Sequence, residues 1–181
     1  MGESATKLGS AEDLTKYRDG IVAARDPRRP LVVVCGGTGC RAAGSMQLAD
    51  AISGEMKKNG LDGSVGMKLS GCHGLCQKGP VVIVEPQGLF YQEVGRDDPA
   101  GAAKAIVEKT LVAGETVDEL LYEDPDSGKK VPQHEEIPFY QRQHRIALAL
   151  NGVIDPTRIE EYIAAGGYAG MAKALGSMQP E

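Results

Sequence analysis

Tryptophan is absent from this chain, phenylalanine occurs twice, and aromatic residues together make up 4% of the 181 positions. A core must therefore come from aliphatic side chains, which a hydrophobic content of 41% can supply. No apolar run approaches the roughly 20 residues of a helical bilayer crossing. The opening Met1-Gly-Glu-Ser-Ala-Thr-Lys lacks the apolar centre of a secretory signal, so a soluble chain in the reducing cytoplasm is expected. Lysine and arginine do not cluster beyond Arg25 to Arg29, and the formal net charge is −5, which argues against a nucleic-acid footprint. A glycine-rich dinucleotide loop is missing as well. Gly36-Gly-Thr-Gly39 is short and flanked by cysteine. The length suits one ordinary domain with appendages, or two small units.

Cysteine is scarce too, and its four copies fall in two tight pairs, Cys35-Gly-Gly-Thr-Gly-Cys40 and Cys72-His-Gly-Leu-Cys76. Each pair lies in a glycine-rich loop after an expected strand. Two loops at the same end of one sheet would close around a single redox-active or metal-bearing centre. Paired cysteines in a reducing compartment more often bind metal or do redox work than form structural disulfides.

The surrounding pattern is that of an α/β layer. Ser10 caps an amphipathic leading helix that ends by Pro27, and Leu31-Val-Val-Val34 reads as a strand buried on both faces. Leu48, Ile52 and Met56 mark a helix over Ser45 to Lys58, with Met46, Met56 and Met67 read as packing residues. Ser64 to Leu69 is expected to be a second strand. Val81-Val-Ile-Val84 and Leu89 to Val94, joined by Glu85-Pro-Gln-Gly88, predict an antiparallel hairpin. Asp98-Pro99 announces a further helix. Turn formers and charge then crowd residues 123–136, the expected linker. Beyond it, Asp155-Pro156 predicts a helix through about Ala165, and Tyr168 to Leu175 another. These short tail helices cannot build much of a core alone.

Four thiolates suit zinc or iron–sulfur chemistry. Structural zinc knuckles usually hold two residues between ligands, fewer than either loop here, whereas a two-iron cluster with one thiolate pair per iron tolerates wider spacing. Two ferric ions, two sulfides and four thiolates leave a double negative charge that needs nearby donors. Gly36, Gly37, Gly39, Gly71, Gly74 and Gly79 let backbone N–H groups approach sulfur, and the helix near Ser45 can aim its positive end inward. A zinc-stabilised interaction module, a thiol–disulfide oxidoreductase and plain buried thiols remain as alternatives. His73 is expected on the solvent side rather than as a ligand, with Lys68 and Lys78 as surface charges.

Gly71-Cys-His-Gly-Leu-Cys76 followed by Gly79-Pro-Val-Val-Ile-Val84 resembles the thioredoxin-like [2Fe-2S] ferredoxin family. The resemblance implies a thioredoxin-like domain over residues 1–122 with Cys35, Cys40, Cys72 and Cys76 as cluster ligands. It places Gly37, Gly39, Gly71 and Gly74 around the cluster. Residues 137–181, with Ile137-Pro-Phe-Tyr-Gln-Arg-Gln-His-Arg-Ile146, Gly152-Val-Ile-Asp-Pro156 and Ile159-Glu-Glu-Tyr-Ile163, look like the opening of an NADH-binding flavoprotein subunit. Such subunits occur in complex I, bifurcating hydrogenases and NAD-dependent formate dehydrogenases. The fused arrangement implies electron transfer in an NADH-linked complex, with flavoprotein and iron–sulfur subunits as partners. FMN and NAD(H) would bind in a continuation or partner, because the chain stops just before the expected flavin loop. It reads as an N-terminal portion that does not itself turn over NADH.

Overall fold

The computed structural model describes residues 7–179. Three consecutive β-branched residues make β1 (Leu31–Cys35) the most enclosed strand, with Val32 and Val34 fully buried. It is central in a four-stranded sheet of order β2-β1-β3-β4, formed with β2 (Gly66–Ser70), β3 (Val82–Glu85) and β4 (Leu89–Tyr91). β1 and β2 are parallel, with Cys35 opposite Ser70. A parallel pair needs a crossover, provided by α2 (Thr38–Ala42) and α3 (Ser45–Lys58), which meet at Gly44 with φ of 92°. The parallel arrangement sends the chain out of β1 and β2 at the same end. β3 runs antiparallel to β1 and β4 antiparallel to β3, as the hairpin pattern predicted.

Two apolar clusters occupy the two faces. One joins Val32, Val34, Val82 and Tyr91 to Leu48, Ile52 and Met56 of α3, and to Ala103, Ile106 and Val107 of the helix that begins as α4 (Pro99–Ala105) and continues as a wider π-type helix over Ile106–Val112. Asp98 caps α4 by accepting from Gly101 N at 2.9 Å. The other joins Val33, Cys35, Cys40, Val81, Ile83 and Phe90 to Tyr122 and Ile137. Ile52 is completely enclosed, so Ile52→Ala should cost about 2–5 kcal/mol in chemical denaturation of the metal-free chain.

The expected linker differs from its reading. Within residues 123–136, β5 (Tyr122–Glu123) pairs with β6 (Lys130–Val131), Gln133 bridges Leu89, and His134 N donates to Gly88 O at 3.0 Å. Its charged residues other than the half-buried Asp124 are exposed while their backbone extends the sheet edge, an arrangement that composition alone does not reveal. α5 (Pro138–Gln141) follows.

The chain divides into two units. The larger runs from Pro27 to Asp155; the smaller combines the described residues up to Asp26 with those from Pro156. The leading helix and the final helices thus share one unit, and residues 137–155 belong to the other. In the smaller unit, α1 (Ala11–Ala23) contacts α6 (Ile159–Ala164) and α7 (Ala169–Ser177). Ser10 Oγ caps α1 by accepting from Asp13 N, and Arg25 pairs with Glu161 at 2.6 Å. α6 begins at Ile159 rather than at Pro156, and Asp155 is buried at the end of the larger unit. Among the described residues no helix is long and apolar enough to cross a membrane.

Candidate metal centre

The two cysteine loops leave the paired ends of β1 and β2 and interlock. Gly36 N donates to Ser70 O at 2.9 Å, and Cys35 N to Val81 O at 3.0 Å, tying the first loop to both neighbouring strands. Gly37 then caps α2, which carries Cys40; this short helix was not anticipated, because Thr-Gly-Cys-Arg-Ala shows no helical periodicity. The loops approach so closely that side chains are excluded between them. A Cβ at Gly37 would stand 2.8 Å from Cys72 Cβ and 3.2 Å from its Sγ. At Gly79 it would meet Cys40 Sγ at 2.7 Å, whereas at Gly39 it would only come into ordinary contact with Cys76 Sγ, at 3.5 Å. Glycines of the first loop therefore face thiols of the second, and the glycine entering β3 faces a thiol of the first. All four thiols are free.

Electrostatics within the quartet follows from crowding and from backbone donors. The hydrogen bond from Cys40 holds the Cys35 thiol down, to about 6, helped by backbone N–H groups of His73 and Gly37. The same pairing, with burial, pushes Cys40 up. One negative charge is thus already favoured in this pair, and a bound cation would complete the ionisation. Burial pushes Cys72 up, partly offset by Gly74 N donating to its Sγ at 3.3 Å. The Gly71 carbonyl lies 3.9 Å from Cys35 Sγ. Exposure is graded: Cys35 and Cys40 are buried, Cys72 is half-buried and Cys76 exposed.

The donor set fits a two-iron cluster, one pair of thiols to each iron. Cys72 and Cys76 Sγ are 3.7 Å apart, the separation that two thiolate–metal bonds of about 2.3 Å impose at a tetrahedral angle. A single zinc demands this of all four sulfurs at once. A binuclear cluster asks it only within each pair.

His73 is buried, not on the solvent side. Its Nε2 is 2.9 Å from Ser70 Oγ in a hydrogen bond, and Gly152 lies close against the ring. Burial pushes its pKa down to about 4, so it adds no positive charge beside the cysteines near neutrality. The cause is the 146–155 segment, whose return over this loop was not readable locally. Lys68 Nζ donates to Val153 O at 2.5 Å, and Lys78 lies 5.9 Å from the Tyr122 ring centroid.

Three contributors went unnoticed in the sequence. Arg96 donates through Nε to Gly79 O at 2.7 Å and through Nη2 to Gln77 O at 2.8 Å, clamping the exit of the second loop. Nothing in Gly95-Arg-Asp-Asp98 signals that role. Arg96→Ala should leave a folded chain that loses iron to a chelator faster than the unsubstituted one, as followed by visible absorption. Phe139 covers Gly74 at 3.6 Å and Asn151 covers Gly71 at 3.4 Å, measured from the Cβ each glycine lacks. The aromatic pair in Ile137-Pro-Phe-Tyr was the available clue for the first.

Residues 23–108 match the family described as thioredoxin-like [2Fe-2S] ferredoxin. A 2Fe-2S ferredoxin of Clostridium pasteurianum is 32% identical over 81 residues, covering 45% of this chain and 76% of the relative. A putative 2Fe-2S ferredoxin of Priestia megaterium is 31% identical over 106 residues, 58% of this chain and 80% of the relative. The solved thioredoxin-like [2Fe-2S] ferredoxin of Aquifex aeolicus is 28% identical and covers 56% of this chain and 97% of that one, at a TM-score of 0.46.

Proposed function

Because this chain belongs to the thioredoxin-like [2Fe-2S] ferredoxin family, we propose that it transfers single electrons in an NADH-linked oxidoreductase assembly, exchanging them with a flavin. Cys35, Cys40, Cys72 and Cys76 hold the cluster, one pair to each iron, and Gly37, Gly39, Gly71 and Gly74 surround it. The observation that carries the ligand assignment is the interlock, in which a Cβ at Gly37 would run into Cys72 and one at Gly79 into the Cys40 thiol, while Gly39 sits in contact with Cys76. When bound, the cluster supplies one-electron chemistry; the protein binds it, orients it and tunes it.

This chain's residues give the centre two different sides. Cys35 and Cys40 sit in the apolar cluster with Val33, Val81 and Ile83, where water is excluded. Cys76 is exposed, so a partner's redox group approaches along that edge. Backbone N–H groups of Gly37, His73 and Gly74 point at sulfur and favour added negative charge. The setting is a reducing cytoplasm.

The flavin partner rests on the likeness of Ile137 to Leu175 to the start of a flavoprotein subunit. The assembly purified anaerobically around the tagged chain should contain FMN, and NADH should reduce its [2Fe-2S] centre, read by electron paramagnetic resonance. A centre reducible by dithionite but not by NADH would contradict the NADH-linked reading and leave the ferredoxin reading standing.

A further inference from the structure

The protein is acidic as a whole, but not around its cysteines. The chain has 25 acidic residues and a formal net charge of −5. The two cysteine loops, residues 36–44 and 71–80, contain no acidic residue, and neither does the span 137–154. That span has two footholds on the second cysteine loop. Phe139 lies against Gly74 and Asn151 against Gly71, at 3.6 and 3.4 Å from the Cβ each glycine lacks. The residues between them are thus tethered to the loop that carries Cys72 and Cys76.

The charged residues of these three segments are Arg41, Lys78, Arg142 and Arg145, all cationic. Arg41 follows Cys40 and donates through Nε to Gly36 O at 2.9 Å, and Lys78 closes the helical turn that Cys76 opens. Arg41 and Arg142 are exposed, Lys78 and Arg145 half-buried. Among the described residues none of the four makes an ion pair. Glu93, whose N–H donates to Lys78 O at 2.8 Å, has its own carboxylate on Arg96 at 3.1 Å. These cations outweigh the double negative charge of an oxidised two-iron centre, and the further electron of a reduced one. Apolar surface joins the charge: Ile146 and Leu148, between the two footholds, are 80% and 60% exposed. Exposed apolar side chains beside unpaired charge suit a protein surface better than a small ion. We infer that the edge around Cys76 is a docking surface for a partner protein whose electron-exchanging face is acidic. The inference rests on the four cysteines holding a one-electron centre.

Cytochrome c, a basic haem protein, and the same protein made acidic by succinylation of its lysines are matched acceptors. The full chain, loaded with its cluster, is reduced with dithionite and freed of the excess. One electron then passes from the reduced centre to ferric haem, leaving the centre oxidised and the haem ferrous, and stopped-flow absorption follows it. At low salt the succinylated acceptor should be reduced about tenfold faster than the native one, or more, and added salt should remove the difference. The net charge of the chain alone predicts the opposite preference. Arg41→Glu combined with Arg142→Glu should abolish the preference. Lys57→Glu, an exposed site in the last turn of α3, should leave it unchanged. Equal rates, or faster reduction of native cytochrome c, would overturn the docking inference and leave the ferredoxin reading standing. A chain that takes up no iron and sulfide would overturn both. The comparison of the two acceptors on the unsubstituted chain needs no variant to fold.

Discussion

Cys35→Ala is expected to strip the chain of nearly all its iron and inorganic sulfide and abolish its visible absorption, while circular dichroism still reports the α/β fold. Cys35 is buried at the end of the central strand, where no water or neighbouring side chain can replace its sulfur. Its thiol is also held below its ordinary pKa, because Cys40 and two backbone N–H groups favour the thiolate. At the exposed Cys76 the gentler Cys76→Ser replacement keeps an oxygen ligand in place. It should lower iron retention and move the absorption to shorter wavelength rather than erase it. Spectra that are unchanged in every single-cysteine variant would sink the ligand assignment.

The second large effect is steric. Gly79→Ala would place a methyl group 2.7 Å from Cys40 Sγ, and Gly37→Ala would place one 2.8 Å from Cys72 Cβ. Overpacking of this kind costs about 1–3 kcal/mol, or roughly 5- to 150-fold in affinity if it falls on the bound state. Chelator competition should show that loss in both variants. Gly54→Ala is the matched control: it lies within α3 with nothing within 4 Å of the new methyl. That substitution should retain its iron fully and gain about 0.5–1 kcal/mol in chemical denaturation. Equal iron retention in all three would mean that the close approach of the loops has no bearing on metal binding.

The sheet was legible because its signals are short-ranged. Leu31 to Val34 announced β1, the period of Leu48, Ile52 and Met56 announced α3 with its observed bounds, and Glu85-Pro-Gln-Gly88 announced the hairpin. The pairing of the two cysteine loops was readable for the same reason, since two strands feeding two loops converge at one end only if they are parallel. What escaped was set by distant packing. α2 has too few residues to show a period, and His73 is buried by a segment arriving some eighty residues later. Residues 123–136 read as a linker because their side chains are polar, yet their backbone donors and acceptors are taken up at the sheet edge. Arg96 reaches its two carbonyls across a turn whose sequence resembles any other polar turn.

Iron and acid-labile sulfide, counted per chain in protein purified without oxygen, bear most directly on this account. Two bridged irons gripped by four thiols require about two of each per folded chain, with a coloured, reducible product. A folded, colourless chain carrying one zinc, or no metal and a readily exchanging dithiol, would contradict it.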